Sequence, residues 1–543
     1  MNLYNKIFGA FLRPALQKRM RRIIRGYRTL KKSGQLNSIA SINRALTIQN
    51  LPINKDFFSK RVFGVNGLKY AEQIIRQYLL ARMGGASLNK ALLHSVGKHN
   101  GKVIYPLPAF WRRIIELEGY RVSNFWSAFL WQLNIFLWFW FGVFRIIKIS
   151  LSGLCNFQSK NSSEKYSPYA YFDGLVECNF PIEGKGKKNI FSWYWLWPEK
   201  REDILALKHN VGGRESRLSI DNADIKYQAS PVPNLDGIVP RLKYLSWGFS
   251  VSLIAFLGFV RGHWWHAFLL NQAAILGQVT YANPSGMAKE YLFHNSGWIY
   301  RPLWTYEAEA QGSSIIFYFY STNCENFMRP NGQTAAPYGW KAMTWPRYLV
   351  WDRRQADFVE EMVGVKSEIN IVGDIWFLSE LEFNYPMAQN AISVFDVQPS
   401  RDSLYCSFGS DMEYYRPENS IMFLSDIGRL LADANRIFAL KVKRYKGKSA
   451  HPKYRNFLEK LSLSNNFINI DSAVSAREMI EKCSAVISMP FTSTALLGRA
   501  AGKPSIYYDP TGLIQKNDPA AHGIPIISGE GELSAWISSI RSH

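Results

Sequence analysis

Three hydroxyl residues in a row, Thr492, Ser493 and Thr494, follow Pro490 and Phe491 in the stretch SMPFTSTALLGRAAGKPSIYYDP, residues 488–510. The apolar run AVIS before them reads as a buried strand, and the residues after Thr494 as the start of a helix. A helix start exposes unpartnered N–H groups and the positive end of the helix dipole, so it favours an anion. One hydroxyl is enough to cap such a start. Three of them, after Ser488, exceed a cap's needs, and Pro490, Thr492, Ser493 and Thr494 are expected to form a phosphate-holding turn. A second cluster lies upstream, where the strand FALKVK delivers Lys441, Lys443 and Arg444 to its end, with His451-Pro452 beyond. Cations and an imidazole donor beside a phosphate would stabilise a departing nucleotide; the plain alternative is a basic loop in a basic protein.

Displacement of such a leaving group by a hydroxyl needs a carboxylate, as a base or as a nucleophile. Glu307 and Glu309 in YRPLWTYEAEAQG precede the strand SSIIFYFYSTN and are expected to face a cleft between domains. Asp173, with Glu177, stands in YFDGLVE as a further candidate. Each is weighed against an ordinary solvated carboxylate. There is no P-loop, GxGxxG, GxSxG, HExxH or DxD. The expected site is therefore metal-independent and without a resident cofactor, with cations and a helix end neutralising the phosphate.

These residues must be positioned by more than one domain, since the chain has 543 residues, 47% of them hydrophobic. Strands and helices alternate clearly after residue 346: PRYLVWDRRQADFVEEMVG, EINIVGDIWF, NAISVFDVQP, then helix, strand, turn, helix and strand through the hydroxyl turn. A similar βαβ opening is read from GKVIYPLPAFWRRIIELEGYRVS, with PYAYFDGLVECNF and NIFSWYWLWP as further strands. The expected division is a basic, mainly helical region over 1–100, an acceptor-side α/β domain over 101–345 with hydrophobic insertions at 122–150 and 244–275, and a nucleotide-sugar-binding α/β domain over 346–543. Two such α/β domains facing a cleft are the GT-B architecture, although fold alone does not establish an activity.

The net charge of +23 is concentrated at the start: Met1 to Lys55 hold 12 Lys and Arg and no acid. In residues 13–32 nine cations interleave with Leu16, Met20, Ile23, Ile24, Tyr27 and Leu30, as in a basic helix at an anionic membrane surface. No nucleic-acid module is recognisable. Val122 to Phe144 is uncharged for 23 residues, yet broken by Asn124, Gln132 and Asn134 and rich in Trp, which favours the interface over the bilayer centre. Tyr244 to Val260 is uncharged for 17 residues. A membrane-dipping pair of helices is the leading expectation, ahead of true spans and of buried core helices. Cys155, Cys178, Cys324, Cys406 and Cys483 are widely separated, which fits a reducing cytoplasm rather than a disulfide framework. The expected location is the cytoplasmic face of the inner membrane, peripheral or monotopic.

The ordered set FYFYSTN, YLVWDRRQ, IVGDIWF, ISVFDVQP, ALKVKR and VISMPFTSTALLGRAAGKPSIYYDP resembles the bacterial polysaccharide biosynthesis proteins named for their PFTS motif, here Pro490 to Ser493. The resemblance covers roughly residues 290–543 and implies a GT-B-like glycosyltransferase of surface glycans. An HP element paired with a Ser/Thr-rich element is also similar to CMP-sugar-using sialyl- and ulosonyl-transferases. That likeness implies that His451 and Thr492, Ser493 and Thr494 hold a CMP donor. The acidic motif of those enzymes, two acids then glycine, is present only as Phe172-Asp173-Gly174, so the base stays open. The implied partners are a nucleotide-sugar donor and a lipid-linked glycan acceptor. A UDP- or GDP-sugar donor, and a non-catalytic membrane scaffold, are the rival readings.

Overall fold

A computed structural model describes residues 2–540 apart from 52, 54–56, 153–168, 176–188, 198–203, 205, 213–217, 221–222, 296, 299, 323–327, 329–339, 341–342, 364–366, 376–382, 386–387, 402–403, 405–413 and 443–448. Two sheets organise the chain. The first contains β1 (Ala170–Phe172), β2 (Ala206–His209), β3 (Leu218–Ile220), β4 (Ala223–Tyr227), β5 (Glu290–His294), β6 (Ser314–Tyr318), β7 (Arg347–Val350) and β8 (Glu368–Ile371) in the order β3-β4-β2-β1-β5-β6-β7-β8. All its pairings are parallel except β3 with β4 at the edge. The second contains β9 (Ala391–Phe395), β10 (Ile437–Lys441), β11 (Phe467–Ile470), β12 (Ala485–Ser488), β13 (Ser505–Asp509) and β14 (Ile526–Ser528), all parallel, in the order β11-β10-β9-β12-β13-β14.

Both sheets are Rossmann-type. Strands such as AISVF and AVIS are buried along their whole length, as parallel strands covered on both faces must be. In each sheet the order reverses beside the first strand, between β1 and β5 and between β9 and β12. Ligands of open α/β sheets bind at the carboxyl ends of the strands flanking such a reversal.

Three expectations need correction. Strands β7 and β8 continue the first sheet, so the change of sheet falls between Ile371 and Ala391 rather than at 345/346. An apolar run specifies a strand but not the edge it joins. The stretch after Gly101 opens no sheet: Val103 and Val122 form one isolated bridge, and Pro106 and Pro108 interrupt the run. NIFSWYWLWP is a helix, Ile190–Leu196, because the Asn189 side chain accepts from the Phe191 and Ser192 N–H groups and caps its start.

The basic helix runs over Asn2–Lys32 and packs on the helix Gly85–Val96, with Gly26 close against the Leu93 carbonyl; Ile23 and Leu30 are buried, while Lys18, Arg21, Arg25, Arg28 and Lys31 stay exposed. The two apolar stretches are helices, Asn124–Leu151 and Ile238–Val260. Both pack on a third helix, Trp264–Tyr281, which is buried almost throughout. Glycines allow the close approach: a Cβ on Gly277 would lie 2.2 Å from the Trp247 ring.

Candidate active site between the two sheets

At the first reversal, Asp173 follows Phe172 directly at the carboxyl end of β1. Its N–H donates to Leu292 O at 2.9 Å, which fixes it to β5. The side chain is 7% exposed and accepts from the Asn210 amide, whose oxygen in turn accepts from Gly174 N at 3.0 Å. Burial pushes the carboxyl up to about 6, against the lowering effect of bonds from Asn210, the Trp298 indole and the Gly174 N–H. Gly174, at φ +75°, turns its carbonyl to accept from His294 Nε2 at 2.6 Å. Burial holds the His294 imidazole below its usual range, partly offset by that carbonyl. Asp173 is thus a carboxyl that changes protonation near neutral pH, which is what a general base requires.

At the second reversal, Asp396 follows β9 and β12 runs into the hydroxyl turn. Tyr415 donates to Pro490 O at 2.5 Å and Tyr507 to Thr492 O at 3.0 Å, clamping the turn from both sides. Thr492 donates to Met489 O at 3.0 Å, and Thr494 lies 3.1 Å from Thr492 and 2.8 Å from Ser488, hydroxyl to hydroxyl. The helix Thr494–Ala500 begins without a side-chain cap, so capping does not account for the hydroxyls. His451 is held by its N–H donating to Pro399 O at 2.8 Å, just past β9. Its Nδ1 accepts from Lys453 N at 3.2 Å and caps the helix Pro452–Leu461. With Nδ1 an acceptor, it is Nε2 that is left to carry a ring proton. Asp396 accepts from the buried Tyr454 hydroxyl of that same helix. Lys441 is buried, its Nζ donating to Ser472 O at 3.0 Å and Asp471 O at 3.5 Å.

The two edges meet. Thr322, beyond the carboxyl end of β6, donates through its N–H and its hydroxyl to Ser493 Oγ at 3.2 and 3.1 Å. Met328 N donates to Asp518 at 2.6 Å. Asp352, past β7, bonds His522 Nδ1 at 2.8 Å and lies 3.9 Å from Arg499. Burial pushes the Asp352 carboxyl up, but His522, the Gln355 N–H and Arg499 outweigh it and hold it below the usual carboxylate range. Carboxyl edge therefore faces carboxyl edge.

Of the expected site residues, Asp173, Lys441, His451, Pro490, Thr492, Ser493 and Thr494 stand at these edges, while Lys443, Arg444 and Glu177 lie outside the described residues. Glu307 and Glu309 stand apart. They occupy the helix Trp304–Ala310, which leads into the amino end of β6, the opposite edge of the sheet, and Glu309 is ion-paired with Arg301 at 2.5 Å. Asn210, His294, Trp298 and Thr322 stand at the site without being expected from the sequence. A usable signal was present: β2 and β5 both run out into His-Asn, His209-Asn210 and His294-Asn295. Among the described residues no three His, Cys, Asp or Glu side chains converge to hold a metal.

Helices Asn124–Leu151 and Ile238–Val260 lie antiparallel, Phe139 against Phe256 at 5.8 Å and Ile146 against Gly248. Each is long and apolar enough to cross a membrane. Trp126, Phe129, Trp140, Phe141, Phe249 and Phe256 are exposed along the pair.

Fold and site together define a protein of two Rossmann-type units in the GT-B-like arrangement, with a titratable acid at one edge and a hydroxyl turn at the other. The chain belongs to the family of polysaccharide biosynthesis PFTS motif proteins, whose model matches residues 251–537. No curated protein matches the sequence. Among solved structures, the wall teichoic acid polymerase TagF is similar over 75% of this chain and 89% of its own, at 12% identity and TM-score 0.36. An α,α-trehalose-phosphate synthase (UDP-forming) from Burkholderia xenovorans is similar over 69% and 92%, at 9% identity and TM-score 0.33. TarM of S. aureus, in complex with UDP, is similar at 10% identity and TM-score 0.30, over 50% of this chain and 52%, about half, of its own length.

Proposed function

We propose that the protein is a membrane-associated glycosyltransferase of surface polysaccharide synthesis, moving a sugar from a nucleotide donor to a lipid-linked glycan. The observation that carries this is the Thr322–Ser493 contact, which joins the edge holding Asp173 to the edge holding His451 and the hydroxyl turn. Asp173 in its charged form takes the proton of an acceptor hydroxyl; the oxygen attacks the anomeric carbon as the bond to the donor phosphate breaks. His451 Nε2–H and the turn donate to the phosphate as its charge grows. Thr492 and Thr494 shape the turn, whereas Ser493 accepts from Thr322 and keeps its own proton to donate. The pairing of His451-Pro452 with the hydroxyl turn favours a CMP-activated ulosonic acid as donor.

The apolar pair would lie in the cytoplasmic leaflet of the inner membrane as a monotopic anchor, because one side of each helix is occupied by Trp264–Tyr281 and only the other is free for lipid. The exposed cations of the basic helix would add attraction to anionic headgroups. Melting shifts with CMP, UDP and GDP test the donor site: CMP alone should protect, and His451→Ala should weaken that protection about tenfold. Protection by UDP or GDP instead would replace the donor, and protection by none would favour a non-catalytic scaffold.

A further inference from the structure

A line of aromatic rings runs from Asp173 to the apolar helix pair. The Trp298 indole lies beside Asp173 and favours its charged form. From Trp298 the rings step to Tyr300 at 5.8 Å, to Tyr78 at 5.3 Å and to Trp138 at 6.1 Å. Trp138 lies in the first apolar helix, 6.0 Å from the exposed ring of Phe141. Two arginines flank this line. The Arg82 guanidinium sits 5.4 Å from the Tyr78 ring and 5.7 Å from the Trp138 ring, within hydrogen-bonding reach of the Tyr78 and Tyr300 hydroxyls. Arg145, in the apolar helix itself, donates to Asn271 Oδ1 at 3.2 Å and lies near Tyr78. Among the described residues neither has a carboxylate partner.

Arginine side chains held by neutral aromatic hydroxyls and an amide keep their full charge for an anion, and the guanidinium fork matches phosphate oxygens. We infer that Arg82, with Arg145 behind it, binds the phosphate of a lipid-borne acceptor at the border between the apolar helices and the aromatic line leading to Asp173. The lipid tail would lie along Phe141 and its exposed neighbours. This inference rests on the glycosyltransferase reading for the acceptor, but its test does not need turnover.

The test is co-sedimentation of the full chain with phosphatidylcholine vesicles doped with a polyprenyl phosphate, compared with vesicles doped equally with phosphatidylglycerol. The wild type should prefer the polyprenyl phosphate. Arg82→Gln should weaken that binding about tenfold, leave phosphatidylglycerol binding unchanged and leave nucleotide protection intact, and Arg82→Lys should recover part of it. Equal binding of Arg82→Gln and wild type to polyprenyl phosphate overturns the inference. So does an equal loss on both vesicle types, which makes Arg82 a general membrane cation. Loss of nucleotide protection in the wild type would count against the donor site alone, since vesicle selectivity is read separately.

Discussion

Asp173 and Asp396 hold the same place in two copies of one topology. Each follows a phenylalanine, Phe172 or Phe395, at the carboxyl end of the first strand of a Rossmann sheet, beside the reversal of strand order. Their neighbours give them different work. Asp173 is met by an amide, an indole and a backbone N–H, and burial leaves its proton equilibrium near neutrality. Asp396, 5% exposed, is met by the Tyr454 hydroxyl, whose own proton is held far more tightly than usual by burial and by the Asp396 charge. That bond anchors the helix whose start is capped by His451. Topology supplies two equivalent edges; the adjoining side chains leave one acid titrating near neutrality and make the other a brace.

The comparison predicts opposite outcomes for matched substitutions. Asp173→Asn should lower transfer by about 10²–10⁴-fold, the usual share of a general base, with nucleotide protection retained. It should also change the pH dependence of stability. Because folding raises this carboxyl from 3.8 to about 6, its stabilising share is complete in acid and fades as pH rises through about 6. The Asn variant should therefore melt relatively higher at neutral pH, which thermal unfolding across pH would check. Asp396→Asn and Tyr454→Phe should instead cost about 1–3 kcal/mol in denaturant unfolding and weaken nucleotide binding through His451, while the rate at saturating donor stays close to wild type. A large fall in that rate with unchanged stability would break the contrast. The smallest effect belongs to Ser493→Ala, which removes the acceptor of the two neutral hydrogen bonds from Thr322: about 1 kcal/mol in stability, with a raised KM for donor.

The contrast was only partly legible in the sequence. The alternation after residue 346, the strand leading into the hydroxyl turn and the resemblance built on it identified the second edge, because that edge is local: strand, turn and helix are consecutive. Asp173 was visible as a candidate, but its partners Asn210, His294 and Trp298 arrive from β2, β5 and the loop after β5, and only sheet order brings them together. Glu307 and Glu309 adjoin a strand, yet direction along the strand decides which edge they reach, and they reach the amino end. Charge runs likewise name a surface but not what lies beneath it. The basic helix buries Ile23 and Leu30 where it packs on the rest of the chain, while Leu16 and Met20 stay exposed among its cations, so a membrane role would draw on both charge and a short apolar strip.

The central claim is that Asp173 works as the base opposite the His451 edge, and the pH profile of transfer tests it most directly. With a donor that protects the protein and a saturating acceptor, the wild-type rate should rise through a limb near pH 6, where Asp173 loses its proton. Asp173→Asn should leave a low rate without that limb. A limb at the same pH in the Asn variant would contradict the account.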